Sequence, residues 1–421
     1  MGADLSDPDD ATAPVAAPPV GLYVHVPFCV SICPYCDFVV VAGGAARGPS
    51  NRVAAFTAAL RRELELRADA LDQTWGLPGY GRPLLRTLYF GGGTPSLLPA
   101  EALAGLIDVV RRRFGLAEGA EITLEANPGP DERGNAAQLA EAGITRISYG
   151  AQALDPPTLK RLGRRHTPAD VRAAVAGARA GGIPSVNLDL LYDVPGVGLS
   201  GWMQTLDDAL AMDPDHLSLY ALTLDDPDAE GLTGPGGDHL PVSRGARRWR
   251  DDARQHQDED RAAAMYHLAV ERLAGAGYRG YEISNWARPG HESVHNTAYW
   301  ERKPYEAVGP GAHAFDGATR RWTAARLDAY VDALLPADEG EARLPPGGGE
   351  PIDATTVRLE RTILGLRTDR GVPLAASHQP PLADAFGWAV LAGLLEVTGD
   401  ERVVLTTRGR LLSNELFARL L

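Results

Sequence analysis

The chain is poor in cysteine, with three in 421 residues, and all three fall in one stretch as Cys29, Cys33 and Cys36. If they act together, none remains for a disulfide or a fourth ligand. A C-x3-C-x2-C spacing supplies three thiolates from one short loop, which can hold an iron–sulfur cube whose fourth iron stays free for a small molecule. The alternatives are structural zinc, which prefers four ligands and a two-pair C-x2-C pattern, and three buried free cysteines.

Long apolar runs and a surplus of basic residues are also missing. No stretch approaches the roughly 18 to 20 apolar residues of a spanning helix, and no basic-then-apolar signal layout begins the chain. Lys and Arg number 41 against 55 Asp and Glu, a net charge of -14, which argues against a nucleic-acid partner because phosphate binding depends on clustered basic residues. A thiolate-held cluster needs a reducing compartment, so we expect a cytoplasmic protein, with peripheral membrane contact left open.

From residue 22 to 222 the sequence repeats a short β-branched or apolar run followed by a segment with helical periodicity. This alternation is typical of parallel strands joined by crossover helices. Six strands are predicted, at 22–26, 87–90, 121–126, 146–150, 185–191 and 216–222. Six units form a partial (β/α)6 TIM-like barrel in an α/β fold, and the chemistry of such barrels collects at the carboxyl ends of the strands.

Composition divides the chain into a disordered leader at 1–20, a barrel core at 21–256, an extension at 257–345 and a C-terminal domain at 346–421. The core ends in a polar insert at 225–256, which we interpret as a loop. We interpret its arginines as solvated and not as a binding patch; they are Arg244, Arg247, Arg248 and Arg250.

The C-terminal domain is predicted to be helical and winged-helix-like. A helix is expected at 355–366, a hairpin at 394–407 turning at Gly399 and Asp400, and a helix at the end of the chain. Winged helices often bind DNA, but the acidic residues here and the lack of a basic stripe favour a packing role.

Glycines and carboxylates lie where the predicted strands end. Gly92, Gly93 and Thr94 follow the second strand, and glycines let backbone N–H and C=O groups approach a ligand, although such turns are common. Glu125 stands near the end of the third strand. Asp189 lies within an otherwise apolar fifth strand, where a carboxylate needs a partner or a function.

The run from Tyr23 to Cys29, Tyr-Val-His-Val-Pro-Phe-Cys, together with the cysteine spacing, resembles the radical S-adenosylmethionine (SAM) superfamily and, within it, the oxygen-independent coproporphyrinogen oxidase group. The resemblance implies a [4Fe–4S] cluster on the three cysteines, SAM chelated to its open iron, and an electron donor. It also implies SAM-binding roles for Tyr23, Gly92, Gly93, Thr94, Glu125, Gln152, Arg164 and Asp189. One departure is Asp193, at a turn where relatives usually have glycine.

A second run resembles the heme-chaperone branch of this family, in which an H-N-x-x-Y-W motif is associated with heme binding. The resemblance implies a heme site at His295, Asn296, Tyr299 and Trp300. Imidazole is a common axial ligand and aromatic rings pack on porphyrins. The alternative is that these residues pack between the barrel and the next domain. Because the SAM motifs lie on the barrel, we expect them to be unaffected by changes at His295.

The pattern H-E-x-x-H also occurs here, from His291 to His295. This zinc-protease pattern works only when both histidines project from one face of a regular helix. Pro289 and Gly290 stand directly before it and no apolar helical stripe leads in, so we do not predict a zinc site.

The resemblance leaves two functions. One is a heme chaperone that transfers heme to acceptor proteins, and the other is an oxygen-independent coproporphyrinogen III dehydrogenase that decarboxylates propionate side chains. The dehydrogenases carry a fourth cysteine two residues after the third, whereas this chain has Phe38. The short segment before Cys29 leaves little room for the arm that dehydrogenases carry. We therefore predict the chaperone.

Overall fold

A computed structural model describes residues 14–42, 51–224, 232–233, 237–336, 340–378 and 382–420. The first part of the predicted leader, residues 1–13, and part of the polar insert, residues 225–231 and 234–236, lie outside these ranges. In the part of the chain that the structure describes, no helix has the length and apolarity needed to cross a membrane.

The described residues form strands and helices in alternation. The strands are β1 (Gly21–Val26), β2 (Phe28–Cys29), β3 (Val41–Ala42), β4 (Leu85–Gly92), β5 (Leu116–Ala126), β6 (Arg146–Gln152), β7 (Ser185–Tyr192), β8 (His216–Ala221), β9 (Arg279–Gly280), β10 (Asn285–Ala287), β11 (Tyr305–Val308), β12 (His313–Phe315), β13 (Thr319–Thr323), β14 (Gly347–Pro351), β15 (Val372–Pro373), β16 (Leu395–Val397) and β17 (Arg402–Leu405). The helices are α1 (Asn51–Trp75), α2 (Ala100–Arg113), α3 (Ala136–Ala142), α4 (Pro156–Arg161), α5 (Pro168–Ala180), α6 (Leu199–Leu210), α7 (Arg244–Arg254), α8 (Glu259–Gly275), α9 (Val294–Trp300), α10 (Leu327–Leu334), α11 (Ala354–Arg367), α12 (Leu382–Leu391), α13 (Thr407–Leu411) and α14 (Ser413–Leu420), with 3₁₀ turns at Pro95–Leu97 and Leu374–His378.

One large sheet organises the molecule, in the order β14-β13-β12-β11-β1-β4-β5-β6-β7-β8-β10-β9. Its centre, β1 followed by β4 to β8, is parallel throughout. These are the six predicted strands, so that prediction is confirmed. Each is connected to the next through helical segments, as the alternating pattern indicates.

The two faces of the parallel strands differ in character. On β4, Leu88 and Phe90 are fully buried in the core that also contains Leu60 of α1 and Leu106 of α2. The residue between them, Tyr89, faces the other way and lines a cavity. Each of the strands β4 to β8 contributes residues to the lining of this one cavity, so the sheet must curve around it, as in a partial barrel.

The extension, together with β14 at the start of the predicted C-terminal domain, contributes strands to both edges of the sheet. β11 pairs in parallel with β1, and β12 to β14 follow it in antiparallel order. β10 pairs antiparallel with β8 at the other edge. The six-strand prediction therefore missed a seventh parallel strand, β11, which is only four residues long and has no clear alternation.

Two predictions about irregular segments are wrong in part. Residues 14–20 were predicted to be disordered, yet Ala17 N donates to Asp316 O and Val20 N donates to Pro304 O, which joins this segment to the sheet edge. The insert was predicted to be a loop, yet its second half forms α7, with Ser243 as the capping residue that accepts from Ala246 N.

The C-terminal residues form a separate core. Helices α11, α12 and α14 pack around Leu366, Phe386 and Leu416, beside a three-stranded sheet in the order β15-β17-β16. The predicted hairpin is confirmed, because β16 and β17 pair antiparallel. This unit contacts the barrel through a β-bridge between Glu282 and Thr368.

Candidate functional site

The three cysteines lie at the carboxyl edge of the parallel sheet, directly after β1. Their loop is closed by a hydrogen bond from Cys36 N to Cys33 O of 3.1 Å. All three side chains line the cavity, whose volume is about 640 Å³. Burial raises the pKa of Cys29 to about 11 and that of Cys36 to about 12. Burial therefore disfavours the thiolate form of these two side chains unless a nearby cation stabilises its charge.

The three cysteines come from one short loop and line one cavity, as a cluster held by three thiolates requires. Among the described residues, no group of three or more His, Cys, Asp or Glu side chains could hold a single metal ion.

Two arginines hold the cysteine loop. Arg250 on α7 is 1% exposed, and it donates to Pro34 O at 3.0 Å and to Cys36 O at 2.8 Å. Arg164 donates to Cys33 Sγ at 3.3 Å and to Gly150 O at 2.7 Å. The interpretation of the arginine cluster as solvated is therefore wrong for Arg250. The sequence gives only a weak sign of this role, which is the aromatic residue Trp249 beside Arg250. In the structure, Trp249 contacts Tyr35 of the cysteine loop.

The glycine loop after β4 packs on the cysteine loop. Thr94 N donates to Phe28 O at 2.7 Å, and Gly93 N donates to Val26 O at 2.8 Å. A Cβ on Gly93 would lie 2.6 Å from Phe28 O, and Gly92 has a φ of +107°. Glycine at 93 is thus required for contact between the two loops, whereas the sequence suggested only a need for ligand approach.

Two half-buried carboxylates, Glu125 and Asp189, line the same cavity. Glu125 accepts from the Tyr89 hydroxyl at 2.7 Å and from Gly92 N at 2.9 Å, and burial raises its pKa to about 7. Asp189 accepts from Ser148 Oγ at 3.1 Å and from Asn187 Nδ2 at 2.7 Å, and burial raises its pKa. Each carboxylate can accept hydrogen bonds from hydroxyl groups of a bound molecule.

Six of the eight SAM candidates line the cavity: Gly92, Gly93, Glu125, Gln152, Arg164 and Asp189. The other two stand beside it. The Thr94 hydroxyl lies 3.5 Å from Cys29 Sγ, and the Tyr23 ring stacks on Tyr89 with centroids 6.0 Å apart. The structure therefore brings the whole predicted set around one space.

His295 lies at the opposite end of the barrel from the cysteine loop. It is 2% exposed, with Nδ1 2.7 Å from the Thr87 hydroxyl and Nε2 2.8 Å from the Tyr299 hydroxyl. Its ring stacks on Tyr89 at 5.0 Å. Burial lowers its pKa to about 3, so the imidazole is neutral. Through Tyr89 this residue is linked to Glu125, so the expectation that changes at His295 leave the SAM residues unaffected does not follow from the geometry.

The four heme candidates do not share one open face. Only Asn296 lines the cavity. Tyr299 packs edge-on against His295 and against Tyr305. The Trp300 ring lies under the Arg367 guanidinium at 4.5 Å, and its buried Nε1 has no hydrogen-bond partner among the described residues.

The H-E-x-x-H pattern does not place its histidines on one helix face. α9 begins at Val294, so His291 precedes the helix and His295 lies within it. His291 Nδ1 lies 3.3 Å from Ser185 Oγ, whereas His295 points to Thr87. The two histidines therefore do not project from one face of a regular helix, as the zinc-protease pattern requires.

Comparison with known proteins first defines the class. The Radical SAM superfamily matches residues 23–209, a range that contains the cysteine loop, the glycine loop and both carboxylates. This class of proteins uses a [4Fe–4S] cluster and SAM.

Full-length relatives then define the family. "Heme chaperone HemW" of Mycobacterium tuberculosis (strain ATCC 25618 / H37Rv) is 40% identical over 97% of this chain and 96% of that protein. "Heme chaperone HemW" of Bacillus subtilis (strain 168) is 31% identical over 95% of this chain and 98% of that protein. The chain therefore belongs to the HemW family of radical SAM proteins.

A solved structure supports the fold. Coproporphyrinogen III oxidase (HemN) from Escherichia coli, a radical SAM enzyme, has a TM-score of 0.76 with 21% identity, covering 97% of this chain and 92% of that one. At this identity the likeness concerns the fold alone. It confirms the α/β radical SAM architecture predicted from the sequence.

Proposed function

We propose that this protein is a heme chaperone that binds heme and passes it to acceptor proteins, while carrying a [4Fe–4S] cluster and SAM on its barrel. The observation that carries the proposal is the likeness to relatives named heme chaperones over almost the whole chain, at up to 40% identity. The acceptor proteins and the electron donor to the cluster are partners that this proposal requires without identifying them.

Position 38 favours the chaperone over the dehydrogenase. Phe38 is 63% exposed and lines the cavity beside the cysteine loop. Dehydrogenases of this group resemble the chain in the first three cysteines but have a fourth at this position. The HemN-like fold is common to both functions, so a coproporphyrinogen III dehydrogenase is the alternative to be tested.

The cluster, when bound, supplies an electron for cleavage of the SAM sulfonium. Cys29, Cys33 and Cys36 would hold it, and Arg164 and Arg250 would keep their loop in place. The backbone of the glycine loop would contact the amino end of SAM. Glu125 and Asp189 would accept hydrogen bonds from the ribose hydroxyls of SAM, since both carboxylates face the cavity.

The structure sets a condition on heme ligation at the H-N-x-x-Y-W motif. Both nitrogens of His295 are engaged, one with Thr87 and one with Tyr299. Ligation by His295 therefore requires that one imidazole nitrogen give up its contact, while the other nitrogen can keep its hydrogen bond. In the described conformation, a ligand in the cavity meets Asn296 of this motif and not the imidazole.

Hemin titration tests the proposal. Protein purified anaerobically should bind hemin without added SAM, giving a Soret band that saturates at one heme per chain and survives gel filtration. Loss of all heme on gel filtration would contradict the proposal. A Cys33→Ala protein serves as the control, because it should lose the cluster and keep the heme site.

A further inference from the structure

Arg146 is a buried arginine that lacks a carboxylate partner. It begins β6 and is 4% exposed. Its Nη1 donates to Ser185 Oγ at 3.0 Å and to His291 O at 3.2 Å. Among the described residues it forms no direct ion pair, and both of its side-chain hydrogen bonds come from Nη1. Its charge acts on Asp189, where it counteracts the rise in pKa that burial causes. A buried guanidinium with no carboxylate in direct contact is costly, which suggests a functional reason for its position.

Arg146 lines the cavity. Alternate residues of β6 line that space, from Arg146 through Ser148 and Gly150 to Gln152. Six residues separate Arg146 from Gln152, a distance of about 20 Å along a strand. Arg146 therefore lies at the far end of the cavity from the cysteine loop, well away from the end where SAM would meet the cluster.

The surroundings of Arg146 favour an anion. Nearby Asp189 already accepts hydrogen bonds from Ser148 and Asn187. Burial, with the charge of Arg146 adding to it, holds the pKa of His216 well below its usual value, so that imidazole is neutral. Asn187, Ser293 and Asn296 line the same end and supply neutral hydrogen-bonding groups.

Two further arginines reach the cavity from the C-terminal unit. Arg367 and Arg410 both line it and flank Glu282, a fully buried carboxylate. Arg367 lies 3.8 Å from Glu282 Oε2, and its Nε has no recorded partner. Asp189, Glu282 and Glu121 also lie at this end, so the case for an anion rests on the side-chain donors of Arg146 and not on a surplus of positive charge.

We propose that this end of the cavity is a carboxylate subsite for a tetrapyrrole, with Arg146 as its anchor. The inference rests on the proposed function, in which the cargo is heme. Heme carries two propionate carboxylates, and a guanidinium pairs with a carboxylate through two parallel N–H donors. Nε and Nη2 of Arg146 are such a pair of donors. Asn296 of the H-N-x-x-Y-W motif borders the same space, so the motif and the subsite would meet one ligand.

Iron-free porphyrins test the subsite separately from iron ligation. Protoporphyrin IX and its dimethyl ester would be titrated against the cluster-loaded protein, with fluorescence as the readout. We expect the free acid to bind about 10- to 100-fold more tightly than the ester, as for a charged hydrogen bond in a buried site. Arg146→Gln should lose most of this preference while its affinity for the ester stays the same. Arg146→Lys should keep part of it.

Controls separate the charge from general damage. Arg111→Gln removes an exposed arginine, paired with Asp108 on α2, and should keep the full preference. SAM affinity of Arg146→Gln should equal that of the wild type; an equal fall in SAM affinity would assign the subsite to SAM and overturn the proposal.

Two other outcomes decide between the subsite and the proposed function. The subsite proposal would be overturned if the wild type bound the free acid and the ester equally, a comparison that needs no variant. It would also be overturned if Arg146→Gln kept the full preference for the free acid. In either case hemin binding would leave the chaperone proposal standing. Failure of the wild type to bind hemin or either porphyrin would instead overturn the proposed function.

Discussion

Truncating His295 to alanine tests the role of this residue as a buried part of the barrel. The side chain is 2% exposed, stacks on Tyr89 and contacts two hydroxyl groups, on Thr87 and Tyr299. Removing a buried side chain of this size costs about 2 to 5 kcal/mol, and each buried hydroxyl that loses its partner adds about 1 kcal/mol. We expect the free energy of unfolding to fall by roughly 4 to 7 kcal/mol. Thr87→Val removes one hydrogen bond, keeps the imidazole and should cost only about 1 kcal/mol.

Urea unfolding of the cluster-free proteins measures these differences. A loss of less than about 1 kcal/mol in His295→Ala, no larger than that in Thr87→Val, would refute the buried-imidazole account. SAM binding gives a second readout. Because Tyr89 stacks on His295 and donates to Glu125 at 2.7 Å, we expect His295→Ala to weaken SAM binding by about 2- to 10-fold through coupling of neighbouring residues. Unchanged SAM affinity would show that the two sites are independent.

Three further predictions concern the loops and the response to acid. Cys33→Ala should reduce the iron content from about four per chain to near zero, because the sequence has no spare cysteine; full iron content would contradict the cluster. Gly93→Ala should lower iron content and SAM affinity together, since its Cβ would meet Phe28 O at 2.6 Å; normal values of both would contradict the loop contact. Burial lowers the pKa of His166 from its ordinary value of 6.5 to about 4 in the folded protein. Between pH 6.5 and pH 4, the unfolded chain therefore takes up a proton at this residue that the folded protein does not. Stability is therefore lost as pH falls from 6.5 to 4. In urea unfolding over this range, the wild type should lose roughly 2 to 3 kcal/mol more than His166→Asn. Parallel pH profiles of the two proteins would contradict a buried neutral imidazole.

The parallel centre of the sheet was predictable from sequence because its strands are apolar runs separated by helical periodicity. The sequence places 146–150 and 185–191 as strands, and β6 and β7 cover both. The edge strands carry no such signal. β12 has three residues and β14 is mostly glycine, so pairing with the existing edge, and not local sequence, makes them strands.

The candidate site was likewise predictable from the sequence only in part. Cys29 was found from the spacing of the three cysteines, and the resemblance to the radical SAM superfamily assigned SAM-binding roles to Gly93 and Glu125 near the ends of predicted strands. Arg250 was missed because its burial depends on α7 packing over the cysteine loop, a contact between segments far apart in the chain. The placement of His295 inside the barrel likewise depends on Thr87, more than 200 residues earlier.

The most direct test of the central claim is anaerobic incubation of the cluster-loaded protein with coproporphyrinogen III, SAM and a reductant. A heme carrier should form no protoporphyrinogen IX while the same preparation binds hemin at one per chain. Catalytic turnover of coproporphyrinogen III to protoporphyrinogen IX would contradict the chaperone account and show that the chain is a dehydrogenase despite Phe38.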